Sequence, residues 1–181
     1  MKRKILITVA ILILAAAGAF AQVSDTHTVT ITITPVQVLD LDDTNDVGFA
    51  TTAPVLPGDP VGPAVGAPAT DATKWLWYTA CTTGTSRITI ETDTACPAGT
   101  ALEAEATTVP AGGTVAAGPI DLTAVTGATE LLGSIPNGNT GRNVGDGSNV
   151  TFRFWVDDPA ALVVGGAATV INVLYTIEDD A

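Results

Sequence analysis

Residues 150–156 read Val150-Thr151-Phe152-Arg153-Phe154-Trp155-Val156. Val150, Phe152, Phe154 and Val156 fall on one face, with Thr151, Arg153 and Trp155 on the other. Successive side chains of an extended chain point to opposite sides, so this alternation specifies a strand with a buried face. The run before it, Pro136 to Asn149, is built from Pro, Asn, Gly, Asp and Ser, residues that pre-set or tolerate turn conformations. A turn leading into a half-buried strand sets the pattern for the rest of the chain.

Outward from that stretch the period stays at two. Thr169 to Ile177 places Ile171, Val173, Tyr175 and Ile177 on one side. Lys74 to Ala80 and Arg87 to Thr92 are strands joined by the turn Thr82-Thr83-Gly84-Thr85-Ser86. Weaker strands are expected at Ala101–Thr107, Gly118–Val125 and Thr129–Ile135. Near the start, Thr28, Thr30, Thr32 and Thr34 alternate with Val29, Ile31 and Ile33. Pro35 interrupts that strand, and Val36 to Leu39 continues in extended form. The stretch from Ala53 to Thr70 is rich in Pro, Gly and Ala and reads as a surface loop. Eight or nine short strands and no amphipathic helix predict an all-β fold, an antiparallel β-sandwich of immunoglobulin-like or jelly-roll type.

The N-terminus predicts export. Lys2, Arg3 and Lys4 precede an apolar run from Ile5 to Ala17, and Ala19-Phe20-Ala21 offers the small-x-small pattern of a signal-peptidase site. Residues 1–21 are therefore read as a signal peptide and 22–181 as a single β-sandwich domain, secreted or at the cell surface. The apolar run falls short of the roughly 20 residues a bilayer span needs, so no membrane span is expected after signal removal. Removal leaves Lys74, Arg87, Arg142 and Arg153 against 19 acids. So acidic a chain repels nucleic acid. Its 46 % apolar content in patterned segments argues against disorder.

Cys81 and Cys96 are the two cysteines. In an oxidising compartment an isolated pair reads as a disulfide, worth about 3 kcal/mol through the unfolded state for a loop of this size. The spacing matches neither a redox C-x-x-C nor a metal-ligand pair of pairs.

No catalytic residues are assigned. His27 is the single histidine, no serine lies in a G-x-S-x-G elbow, and no H-E-x-x-H occurs. The acidic turn Asp40-Leu41-Asp42-Asp43-Thr44-Asn45-Asp46 is the candidate cation site. The carboxylates of Asp40, Asp42, Asp43 and Asp46 suit calcium, although the spacing is not that of an EF-hand and Asp and Asn favour turns without any metal. Trp75 and Trp77 share one face of their strand. Exposed, they form a stacking platform for a glycan; buried, they are core. Val29, Ile31 and Ile33 form the apolar face of a strand near the chain's start, able to complete its own sandwich or to insert into a neighbour.

The ending Val164-Gly165-Gly166 followed by Thr169-Val170-Ile171-Asn172-Val173-Leu174-Tyr175-Thr176-Ile177 resembles the close of small secreted bacterial sandwiches of the fimbrial-subunit and spore coat protein U-like type. That resemblance implies a structural surface protein that associates with itself or with other surface proteins. The expected function is a pilus, fibre or coat subunit, not an enzyme, assembling by exchange of its N-terminal strand. The alternative is a carbohydrate-binding module using Trp75 and Trp77.

Overall fold

The computed structural model describes residues 28–41, 46–143, 145–163 and 167–180. Ten strands are formed among them: β1 (Val36–Leu41), β2 (Ala69–Cys81), β3 (Ser86–Thr92), β4 (Thr100–Ala106), β5 (Thr114–Val115), β6 (Ile120–Asp121), β7 (Thr129–Ile135), β8 (Gly138–Asn139), β9 (Ser148–Val156) and β10 (Val173–Asp179). They make two sheets. The first has the order β1-β2-β9-β4-β6, with β8 pairing the end of β2; the second has the order β10-β3-β7-β5. Every pairing between these strands is antiparallel. The only helical element among the described residues is a 3-10 turn at Pro159–Ala161, capped by the Asp158 carboxylate on the Ala160 amide. The chain is all-β, as its period-two writing predicts.

The alternation decides which faces meet. From β9, Val150, Phe152 and Val156 are buried; from β2, Leu76, Tyr78 and Ala80; from β4, Leu102, Ala104 and Ala106. Ile88 and Ile90 of β3 and Leu131, Leu132 and Ile135 of β7 supply the other layer of the same core. Removing these side chains from water, at about 1.5–3 kcal/mol for each large aliphatic, is the main force holding the sheets face to face. The outward face of β4 and β9 is polar: Arg153 and Glu105 pair at 2.6 Å.

Three expectations meet a different structure. Thr28 to Thr34 is in no strand, and Val29, Ile31 and Ile33 are 70, 81 and 78 % exposed. Alternation supplies a strand with a face, but not with a partner. Gly118–Val125 pairs only at Ile120–Asp121. Beyond it the chain turns through Thr123 and Thr126, whose amides donate to the Asp121 carboxylate (2.8 Å) and to the Thr92 hydroxyl (3.0 Å).

The third is the disulfide, which is not formed: Cys81 and Cys96 are free thiols. Cys81 ends β2, opposite Val36. The chain then turns, runs the length of β3, and reaches Cys96 beyond the far end of that strand. Seven residues of strand carry a chain about 20 Å. A disulfide needs Cα atoms about 4.4–6.8 Å apart. Cys81 and Cys96 thus lie beyond opposite ends of β3, too far apart for a bridge. Cys96 instead donates its amide to the Thr123 carbonyl at 2.8 Å.

Candidate functional site: an apolar groove between the sheets

The two sheets are tied together at one end and part at the other. At the tied end, Gln37 of β1 reaches the second sheet, donating from Nε2 to Ser86 Oγ (3.0 Å) and to Asp179 Oδ1 of β10 (3.1 Å). At the other end, where β1 finishes at Leu41 and β10 has only begun, a groove of about 1410 Å³ opens. Its walls include Phe49, Leu102, Phe154, Ile171, Val173 and Tyr175.

Sequence places each of these. Phe154 keeps the inward phase of Val150 and Phe152, and in register it lies between Ala69 of β2 and Leu102 of β4. It stacks on Phe49, with ring centroids 5.4 Å apart and planes 13° from parallel. Tyr175 keeps the inward phase of Val173 and Ile177. Its hydroxyl is buried without a hydrogen-bond partner. Burial also pushes its pKa well above the ordinary tyrosine value, because the phenolate would lose its water.

The start of β10 is held at the groove's rim by Asp93. The Asn172 amide donates to Asp93 Oδ1 at 2.9 Å and its side-chain nitrogen to Oδ2 at 2.5 Å. Those two bonds hold the Asp93 carboxyl below the usual aspartate range. Val170 and Val163, which also line the groove, are 71 and 80 % exposed.

The other expected sites fall elsewhere. Trp75 and Trp77 lie on the outer face of β2, half-buried, while Leu76 and Tyr78 take the core. The register sets Asp40 of β1 directly opposite Trp77. Arg142 lies over the Trp77 ring, 5.9 Å from its centroid, and pairs with Asp40 at 3.2 Å. Trp77 Nε1 donates to the Asn143 carbonyl at 3.3 Å. Gly147 packs so close to Trp77 Cδ1 and the Leu76 carbonyl that a Cβ there would collide with both. Trp77 is thus seated under a loop, with one ring face taken by a cation.

Of the four candidate calcium ligands, Asp42 and Asp43 lie outside the described residues, as does His27. Asp40 already accepts from Arg142 and from the Leu41 amide at 3.0 Å. Asp46 lines the groove instead. Among the described residues no group of three or more His, Cys, Asp or Glu is placed to hold a metal ion, and no helix is long and apolar enough to cross a membrane.

Phe49 is the functional residue that sequence reasoning passes over. A lone aromatic after an acidic turn, Val47-Gly48-Phe49, has no periodicity to declare its side. No protein-family model, curated protein or solved structure matches the chain. The functional reading therefore rests on the residues themselves.

Proposed function

We propose that this chain is an exported structural or adhesive surface protein, a subunit of a pilus, fibre or coat whose N-terminal strand is exchanged between copies. The observation that carries the reading is the state of Val29, Ile31 and Ile33: an alternating, β-branched segment with its apolar residues 70–81 % exposed and in no sheet. A soluble chain rarely leaves such a face to water unless something covers it. Export through residues 1–21 and a sandwich of immunoglobulin-like or jelly-roll type belong to the same reading. Placement of β9 between β2 and β4, its non-neighbours in sequence, supports a Greek-key connection of the kind both types use.

The test is negative-stain electron microscopy and sedimentation velocity of the chain beginning at Gln22, with and without added Ca²⁺. Filaments or multimers are expected, lost on deletion of residues 22–34. A monomer at every protein concentration and salt would remove the reading.

Glycan binding through Trp75 and Trp77 is the second reading. Their outward placement on β2 favours it. Tryptophan quenching across a glycan panel decides: no response to any glycan ends it.

A further inference from the structure

We infer that Asn137 is a deamidation site that the fold holds closed: its carboxamide completes the ladder between β2 and β8, and loss of its nitrogen undoes that rung.

Sequence supplies the reactivity. Asn137-Gly138 is the one Asn-Gly pair in the chain. Glycine has no Cβ, so its nitrogen is uncrowded and its backbone turns freely. In the reaction the Gly138 nitrogen attacks Cγ of Asn137. A new C–N bond closes a succinimide, the carboxamide C–N bond breaks, and ammonia leaves with the proton that Gly138 gives up. Water then cleaves one of the two imide C–N bonds, giving aspartate or isoaspartate. Nothing is oxidised or reduced, and water is the sole co-reactant.

Register supplies the restraint. β8 pairs with β2 through Thr79↔Asn139 and Ala80↔Gly138. The Thr140 amide donates to the Tyr78 carbonyl at 3.1 Å. Hydrogen-bonded pairs alternate along an antiparallel ladder, so the next after Tyr78/Thr140 is Ala80/Gly138. The one after that would set Thr82 opposite Pro136, and proline has no N–H to give. Asn137 fills the place. Its Oδ1 accepts from the Thr82 amide at 2.8 Å, and its Nδ2 donates to the Thr82 carbonyl at 3.0 Å.

The carboxamide thus stands in for a backbone peptide group, with both ends held against Thr82. So held, Cγ is kept from swinging over the Gly138 nitrogen, which faces Ala80 across the ladder. Asn137 is exposed to solvent, so these bonds, rather than burial, restrain the reaction. Deamidation replaces the Nδ2 donor by an oxygen. The Thr82 carbonyl then loses its donor and meets a carboxylate instead.

The test holds the purified chain at pH 8, folded and in denaturing guanidinium chloride. The peptide containing residues 137–139 is followed by mass spectrometry and by its chromatographic splitting into aspartate and isoaspartate forms. Conversion at 137 is expected in denaturant. In the folded chain it should run about ten- to a hundredfold more slowly, the factor that opening two hydrogen bonds corresponds to. Asn139, followed by Thr140 in the same peptide, is the internal control and should stay intact over that time. Gly138→Ala should suppress conversion in denaturant by crowding the attacking nitrogen. The nearest atom to a Cβ there is the Ala111 Cβ, 4.0 Å away, so the fold accommodates the variant. Asn137→Asp, which supplies the product's carboxylate directly, should unfold at a lower urea concentration than the wild type.

Equal conversion of the folded and unfolded chains overturns the restraint. No conversion in denaturant, or as much at Asn139 as at Asn137, overturns the site. Unchanged stability of the Asn137→Asp chain overturns the rung.

Discussion

The side-chain amide of Gln37 crosses from the first sheet to the second to donate to the Ser86 hydroxyl, 3.0 Å away. Ser86 is fully buried, so its oxygen has no water to fall back on. The bond fixes the end of the edge strand β1 over the second sheet, opposite the end where the groove opens. Gln37→Ala should therefore cost about 1–2 kcal/mol, the penalty for stranding a buried hydroxyl. Gln37→Glu should cost more at neutral pH, because it sets a carboxylate beside Asp179, and should recover as pH falls. Urea unfolding of the three proteins at pH 7 and pH 4 checks both. Equal stability of all three would show that Gln37 does not brace the sheets.

With Cys81 and Cys96 unbridged, the chain has no covalent loop in its unfolded state. Replacing both by Ser should then change stability by about 1 kcal/mol or less, against about 2–5 kcal/mol for loss of a native disulfide. Burial, and then the negative charge of Asp121, push the Cys96 thiol above its ordinary pKa, so it should alkylate slowly at pH 8. Thiol titration in denaturant without reductant should find two thiols per chain. Zero thiols, with a large loss on double substitution, would contradict the free-thiol geometry.

The fold was legible wherever a strand's two faces differ in polarity. Thr129–Ile135 is a strand with the predicted ends, and the inward sets Val150/Phe152/Val156 and Val173/Tyr175/Ile177 follow the predicted phase. Alternation is local, and it reports a face directly. Pairing is not local. Residues 28–34 and Gly118–Val125 carry strand-like sequence, yet a ladder needs an edge within reach, and the second finds one for only two residues. The cysteine pairing went wrong for a related reason. Compartment and count were weighed without the strand length that sets the two thiols apart. Half of the groove was legible too, since Phe154 and Tyr175 carry a phase. Phe49 was not, because it stands in irregular chain and its stacking on Phe154 comes from tertiary structure alone.

Acid should loosen the groove's rim before it unfolds the core. Asp93 is held below the ordinary aspartate pKa by the two bonds from Asn172. A depressed carboxyl contributes stability that is full above its unfolded value and is lost as pH falls through the lower folded value. The contribution is thus intact at neutral pH and disappears only on acidification below about pH 4. Hydrogen exchange at residues 170–173 should accelerate there while the β3 and β9 amides stay protected. Asp93→Asn should remove that pH dependence. Acceleration that persists in the Asp93→Asn chain would assign the event to another carboxylate.

Tyr175 carries a buried hydroxyl whose removal should strengthen the fold. In the single chain its buried hydroxyl bonds to nothing, so it costs desolvation and returns no hydrogen bond. Tyr175→Phe should therefore stabilise the monomer by about 1 kcal/mol, the reverse of the usual loss on deleting a bonded tyrosine hydroxyl. Burial raises the Tyr175 pKa, so its contribution is complete below pH 10 and is lost as alkali ionises the phenol of the unfolded chain. The Phe variant should accordingly resist alkaline unfolding better than the wild type. Urea unfolding at neutral pH and alkaline unfolding of the two proteins read both effects. A stabilised Phe variant bears out the unpaired hydroxyl, whereas a destabilised one would mean that the hydroxyl already has a partner within its own chain.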